Sequence, residues 1–185
     1  MKELEVLRFG TPALRLPCKG IATIDQSIIN LLDRLKFTLH ARPGRAAIAA
    51  PQIGKNIRLT VIEYGNGYEE LINPEIVESY GRYVDYEGCL SLPGYSGRVA
   101  RADRITIRYT DRDGKERFIE TKTRRDLARC YQHELDHFDG VLYTDRLADD
   151  FKRRLVMPSL ANADVQLSVL VVNKRRLKSA GLMFP

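Results

Sequence analysis

Along the chain, apolar positions switch between two periods. Ile24, Ile28, Leu31, Leu32, Leu35 and Leu39 recur at mostly three- and four-residue intervals, which puts them on one face of a helix. Thr23 and Gln26 have the spacing of a capping box. The pattern therefore predicts a helix over residues 24–40, ended by Ala41-Arg42-Pro43-Gly44. Residues 57–64 are dense in Ile, Val, Thr and Tyr and predict a strand, followed by a turn at Gly65-Asn66-Gly67. Shorter strands are expected at 70–72, 76–80 and 104–109. Asp111-Arg112-Asp113-Gly114 reads as a hairpin turn, with its return strand over 115–120. A second helix is expected from residue 123 or 124 to 138, stopped by Gly140. In the C-terminal part, the β-branched run 165–172 is read as a strand. Strands before a helix, without regular strand–helix alternation, predict an α+β fold of short antiparallel strands packed around that C-terminal helix.

The second helix carries the chemistry. Residues 132–137 read Gln-His-Glu-Leu-Asp-His. His133 and His137 lie four apart and so share a helix face, where both can reach one metal ion. Glu134 sits beside them, placed to move protons for a water activated there. The third histidine, His40, falls at the end of the first helix, where a positive imidazole suits the helix dipole, and is read as structural.

A catalytic ion usually takes three protein ligands and leaves one position open. After His137 the chain has no His, Glu or Cys, but Asp139, Asp145, Asp149, Asp150 and Asp164 keep an aspartate ligand open. Cys130 lies seven residues before His137, about 10 Å along the helix axis, too far to join both imidazoles, and is read as a small buried side chain beside the site. Cys18 sits in an N-terminal loop with no supporting pattern. Cys89 lies in Tyr86-Glu87-Gly88-Cys89-Leu90-Ser91-Leu92-Pro93-Gly94, read as a glycine-bearing loop that can present a thiolate to the two imidazoles. A Cys-His-His set suits zinc or ferrous iron.

Composition narrows the setting. No apolar run is long enough to span a bilayer, and the first residues lack the apolar core of a signal peptide. Three cysteines argue against a disulfide framework and for a reducing compartment. The net charge of +6 is concentrated late: Lys152, Arg153, Arg154, Lys174, Arg175, Arg176 and Lys178 face only Asp164 in the last stretch. Such a basic tail suits an anionic partner such as RNA or the ribosome surface. Residues 1–150 are read as one catalytic domain, and residues 151–185 as a basic extension packed on it.

Taken together, Gln132-His133-Glu134-x-x-His137, Glu87-Gly88-Cys89-Leu90-Ser91 and Ala49-Ala50-Pro51-Gln52 resemble, in order and spacing, the three motifs of the peptide deformylase family. The resemblance covers roughly residues 5–150. It implies a metal-dependent amidase that removes the N-formyl group from N-formylmethionyl peptides of nascent proteins and releases formate. It implies one ferrous ion per chain, replaceable by zinc, nickel or cobalt, held by Cys89, His133 and His137. It implies Glu134 as general acid/base, with Gln52 and the Leu90 backbone N–H stabilising the oxyanion. Ala47, Ile48, Glu87, Gly88 and Cys130 take substrate-binding positions, and Arg101 pairs with Asp136 behind the ligands. A bacterial cytoplasmic enzyme fits, as does an organellar one whose transit peptide has been removed.

The chain departs from the family pattern where two glycines are replaced by Arg45 and Ala47. Arg45 is expected at the mouth of the cleft, meeting an acidic group of the substrate or pointing to solvent. Asp126 replaces an apolar residue near the methionine pocket. Two other functions compete: a zincin-type metalloprotease with a different third ligand, and an impaired deformylase-like ribosome- or RNA-binding protein whose cleft is blocked by Arg45 and Ala47.

Overall fold

The computed structural model describes residues 1–64 and 67–148, and the backbone of Arg154–Val156 and Val169–Val171. Helix α1 spans Gln26–His40, and its N-cap is Asp25, whose carboxylate accepts from the Ile28 N–H. The expected Thr23/Gln26 box is thus displaced by a cap-forming residue nearer the first turn. Ile24 falls just outside the helix, where it packs on the same cluster as Ile29, in the manner of a hydrophobic staple.

Five strands form an antiparallel sheet in the order β1-β2-β3-β6-β7: β1 Ala47–Ala49, β2 Leu59–Tyr64, β3 Gly67–Tyr80, β6 Arg104–Thr110 and β7 Glu116–Glu120. Strand alternation divides the core in two. Ile48, Leu59, Val61 and Ile72 face α1 with Leu32, Leu35 and Leu39. Ala47, Ile62, Leu71, Ile105 and Ile107 face the opposite way, against Leu127, Ala128 and Tyr131 of helix α2, Arg125–Phe138. The sheet is therefore the middle of three layers. The two short strands expected at 70–72 and 76–80 are parts of β3, joined through a register shift after Ile72 where Asn73 takes φ 51°. The Asn73 side-chain amide ties this irregularity to both backbone groups of Ile21. Of the expected Gly65-Asn66-Gly67 turn, the first two residues lie outside the described residues, and Gly67 opens β3.

Two strands that the pattern did not predict carry the site: β4, Tyr83–Cys89, and β5, Leu92–Arg101, an antiparallel pair. Cys89 is the last residue of β4, not part of a free loop. The pairing runs in register from Tyr83↔Arg101 to Gly88↔Ser96 and then jumps to Cys89↔Leu92. Such a shift re-aims a side chain at the end of a strand, here the Cys89 thiol. Gly88, Pro93, Gly94 and Gly97 remove the period-2 alternation by which strands are recognised. Backbone strands β8, Arg154–Val156, and β9, Val169–Val171, extend this sheet next to β5. The rest of the expected 165–172 strand lies outside the described residues.

Helix α2 ends at Gly140, whose φ of 68° favours glycine. A Cβ there would stand 2.4 Å from the Arg15 carbonyl oxygen. The N-terminal segment thus runs against the helix end, and the Cys18 N–H donates to the Phe138 carbonyl at 2.7 Å. No helix is long and apolar enough to cross a membrane among the described residues.

Candidate metal centre and cleft

Helix α2 is buried along the face that carries His133 and His137, and β4 ends opposite that face. The outcome is a cluster of one sulfur and two imidazole nitrogens, all within 4.8 Å of one another. The Cys89 Sγ lies 3.4 Å from His137 Nε2. An ion with bonds of about 2.3 Å to sulfur and 2.0–2.1 Å to nitrogen in tetrahedral geometry separates such atoms by about 3.5 Å, so the donors fit one. Of the aspartates kept open as ligands, Asp139 is engaged by Arg58 and Asp145 by Arg15. Asp149, Asp150 and Asp164 lie outside the described residues. Cys18 packs instead near Ala49, Leu135 and Phe138, and burial pushes its thiol up to about 11.

The electrostatics favour an ionised sulfur. Burial opposes ionisation of Cys89, yet the imidazoles of His137 and His133 hold the thiol well below its ordinary value. His133 is in turn held well above the usual imidazole range: burial works against its charge, but Cys89 and Glu87 outweigh it. Glu87 Oε2 lies 3.0 Å from His133 Nδ1, which fixes the tautomer and leaves Nε2 for an ion.

Glu87 lines the cleft, but its carboxylate is not free for a substrate. It receives two bonds from Arg101, at 2.7 and 2.9 Å, and one from Arg129 at 2.7 Å. Arg101 also donates to Asp136 at 2.6 Å, and Arg146 holds both oxygens of Asp136. The Arg101–Asp136 pair stands as expected, and Glu87 belongs to the same buried network. Arg129, Arg146 and Ser91 were missed. Arg129 had a legible signal in its place four residues before His133 on the same helix face, and Ser91 in closing the Glu87–Ser91 motif.

Gln52 sits in the short 3-10 turn Ala50–Ile53 after β1. Its Oε1 accepts from the Ala49 N–H at 2.9 Å, which aims Nε2 toward Cys89 Sγ, 3.4 Å away, and Ser91 Oγ, 3.3 Å away. Glu134 is buried, one of its oxygens makes no hydrogen bond among the described residues, and burial raises its carboxyl above the usual range.

Gln52, Cys89, His133 and Glu134 line a cleft of about 420 Å³, together with Ala47, Gly88, Leu90 and Cys130. Burial raises the Cys130 thiol, which therefore offers a neutral wall. Asp126 lines the same cleft and is paired with Arg124. Ile48 does not reach it: strand alternation turns that side chain to the α1 layer, where it is fully buried. Arg45 also turns away. It donates to the Thr38 carbonyl and to Glu3, and its side chain is 11% exposed.

A family model described as polypeptide deformylase matches residues 3–153. The chain belongs to the peptide deformylase family. A peptide deformylase of Heliobacterium modesticaldum is 43% identical over 150 residues, covering 81% of this chain and 97% of the relative. The crystal structure of peptide deformylase from Thermotoga maritima superposes with a TM-score of 0.76 at 34% identity, covering 80% of this chain and all of the other. A peptide deformylase from Synechococcus elongatus, solved in complex with actinonin, gives 0.74 at 34% identity, covering 80% of each chain. The deformylase match includes every residue of the cluster and of the cleft.

Proposed function

We propose that this chain is a metal-dependent peptide deformylase that hydrolyses the N-formyl amide of N-formylmethionyl peptides, releasing formate and a free amino terminus. The observation that carries the reading is the convergence of Cys89 with His133 and His137 beside Glu134. A divalent ion bound by those three residues supplies Lewis acidity, lowering the pKa of water toward 7 and drawing charge from the formyl oxygen. Ferrous iron is the native ion in this proposal, with zinc, nickel or cobalt able to replace it, because the mixed sulfur and nitrogen donors accept all four.

Glu134 takes the proton of the attacking water and delivers it to the leaving amine nitrogen. Its raised pKa supports that exchange, since the carboxyl is made a better base by burial. The Gln52 amide donates to the oxygen on which negative charge grows, assisted by the Leu90 N–H. Ala47, Gly88 and Cys130 flank the peptide. Ile48 contributes through its main chain only. Arg101 and Asp136, with Glu87, hold His133 in place through the Glu87–His133 contact.

Residues 1–150 act as the catalytic unit, with 151–185 as a basic extension packed on it through β8 and docking on the ribosome. A bacterial cytoplasmic setting fits this role. The blocked-cleft alternative is not favoured, because Arg45 faces away from the cleft and Ala47 lines it. Anaerobic purification with metal analysis, coupled to formate detection on formyl-Met-Ala-Ser, tests the reading. The expected result is about one ion per chain and formate release, both lost in Cys89→Ser. Metal retained by Cys89→Ser, or a metal-loaded chain that releases no formate, would overturn it.

A further inference from the structure

Arg129 reaches Glu87 from the helix that bears the histidines. Its Nη1 donates to Glu87 Oε1 at 2.7 Å and to the Val99 carbonyl at 3.0 Å. Its Nη2 is buried and makes no hydrogen bond among the described residues. A buried guanidinium satisfied so unevenly depends on its other contacts for its orientation. Tyr83, the first residue of β4, supplies them. The Arg129 Cζ stands 4.5 Å from the centre of the Tyr83 ring, within cation–π range. The phenol oxygen accepts from Arg129 Nε at 3.3 Å. The same hydroxyl donates to the Arg125 carbonyl, one turn earlier on α2, so a single tyrosine grips the helix at two successive turns.

We infer that Tyr83 is a positioning residue for the metal ligand His133, acting through Arg129 and Glu87. The contacts close a ring: α2 extends Arg129 to Glu87, and Glu87 returns to α2 at His133 Nδ1. Arg101 also holds Glu87, but from β5, and it meets α2 only beyond His133, at Asp136. Arg129 is the contact that joins Glu87 directly to the turn of α2 before His133. Tyr83 keeps Arg129 in the rotamer that completes the ring. None of this requires Tyr83 to touch the substrate, and Tyr83 is not among the residues lining the cleft. The inference rests on Cys89, His133 and His137 being the ligands, so its test reads ion retention as well as turnover.

The zinc-loaded holoenzyme is mixed with excess chelator and a metal-sensitive dye to measure the zinc release rate, and kcat and KM are measured separately on formyl-Met-Ala-Ser. Loss of a direct partner of a ligating histidine typically costs 10–100-fold in affinity, and Tyr83 lies two contacts further out, so Tyr83→Ala is expected to speed release about 3–10-fold. Its kcat falls by a similar factor while KM stays within about twofold. Tyr83→Phe keeps the ring and changes release by less than about threefold. In combination with Glu87→Gln, Tyr83→Ala adds no further acceleration, because the path runs through Glu87. Wild-type release from folded Tyr83→Ala, or effects that multiply in the double variant, overturns the inference. Should Tyr83→Ala not fold, Arg129→Lys, which keeps the charge but loses the planar guanidinium over the Tyr83 ring, carries the same comparison. A wild-type chain that holds no zinc overturns the ligand assignment itself, which tells the two failures apart.

Discussion

Arg45 Nη2 donates to Glu3 Oε1 at 2.8 Å, joining the N-terminal segment to the loop that forms one lip of the cleft. The same guanidinium satisfies the Thr38 carbonyl in the last turn of α1, and the Thr38 hydroxyl accepts from the Leu4 N–H. Arg45 is thus structural. Arg45→Ala is expected to lower the unfolding free energy by about 1–2 kcal/mol, while kcat/KM on formyl-Met-Ala-Ser stays within about twofold of wild type. Denaturant titration and steady-state kinetics read the two separately. A large rise in KM with unchanged stability would return Arg45 to the cleft.

Glu134 has one buried oxygen without a partner and a raised pKa. Glu134→Ala is expected to keep its metal and to lose about 10²–10⁴ in kcat. Metal analysis and formate release on one preparation check this. A variant with more than about a tenth of wild-type turnover removes Glu134 from proton transfer.

Gln52 is held by Ala49 so that its amide points at the Cys89 sulfur and Ser91. Gln52→Ala is expected to lower kcat by about 10²–10³ with metal content unchanged. If the fall appears only in KM, the amide binds the ground state and the oxyanion role is lost.

Glu87 sets a pH window. Burial opposes its ionisation, but the bonds from Arg101 and His133 hold its carboxyl down at about 2. Its folded-state value lies below its unfolded one, so its stabilisation is complete above about pH 4.5 and is lost as pH falls toward 2. The contribution is on the order of 3 kcal/mol. Glu87→Gln is expected to be less stable at neutral pH but to lose less stability between pH 4.5 and 2. Parallel acid-unfolding curves for the two proteins would contradict this.

How far the sequence disclosed the site depended on whether each role is local. His133, Glu134 and His137 were legible because helical spacing alone puts them together. Cys89 emerged by exclusion and by resemblance, although its strand did not, since the glycines and Pro93 around it erase alternation. The role of Glu87 was hidden because its partners arrive from β5 and from two successive turns of α2. Ile48 was misplaced by a single residue of strand phase, and Arg45 by a partner 42 residues away. Thr23 was read as the cap of α1, but Asp25, two residues on, fills that place because the helix starts later, at Gln26.

The left-handed turn at Gly140 presses main chain against main chain, with the Arg15 carbonyl where any side chain would begin. At this seam any side chain would lever the amino-terminal arm off the helix. His137 lies three residues before that seam, so a single methyl group added there would slacken the end of the helix nearest the metal cluster.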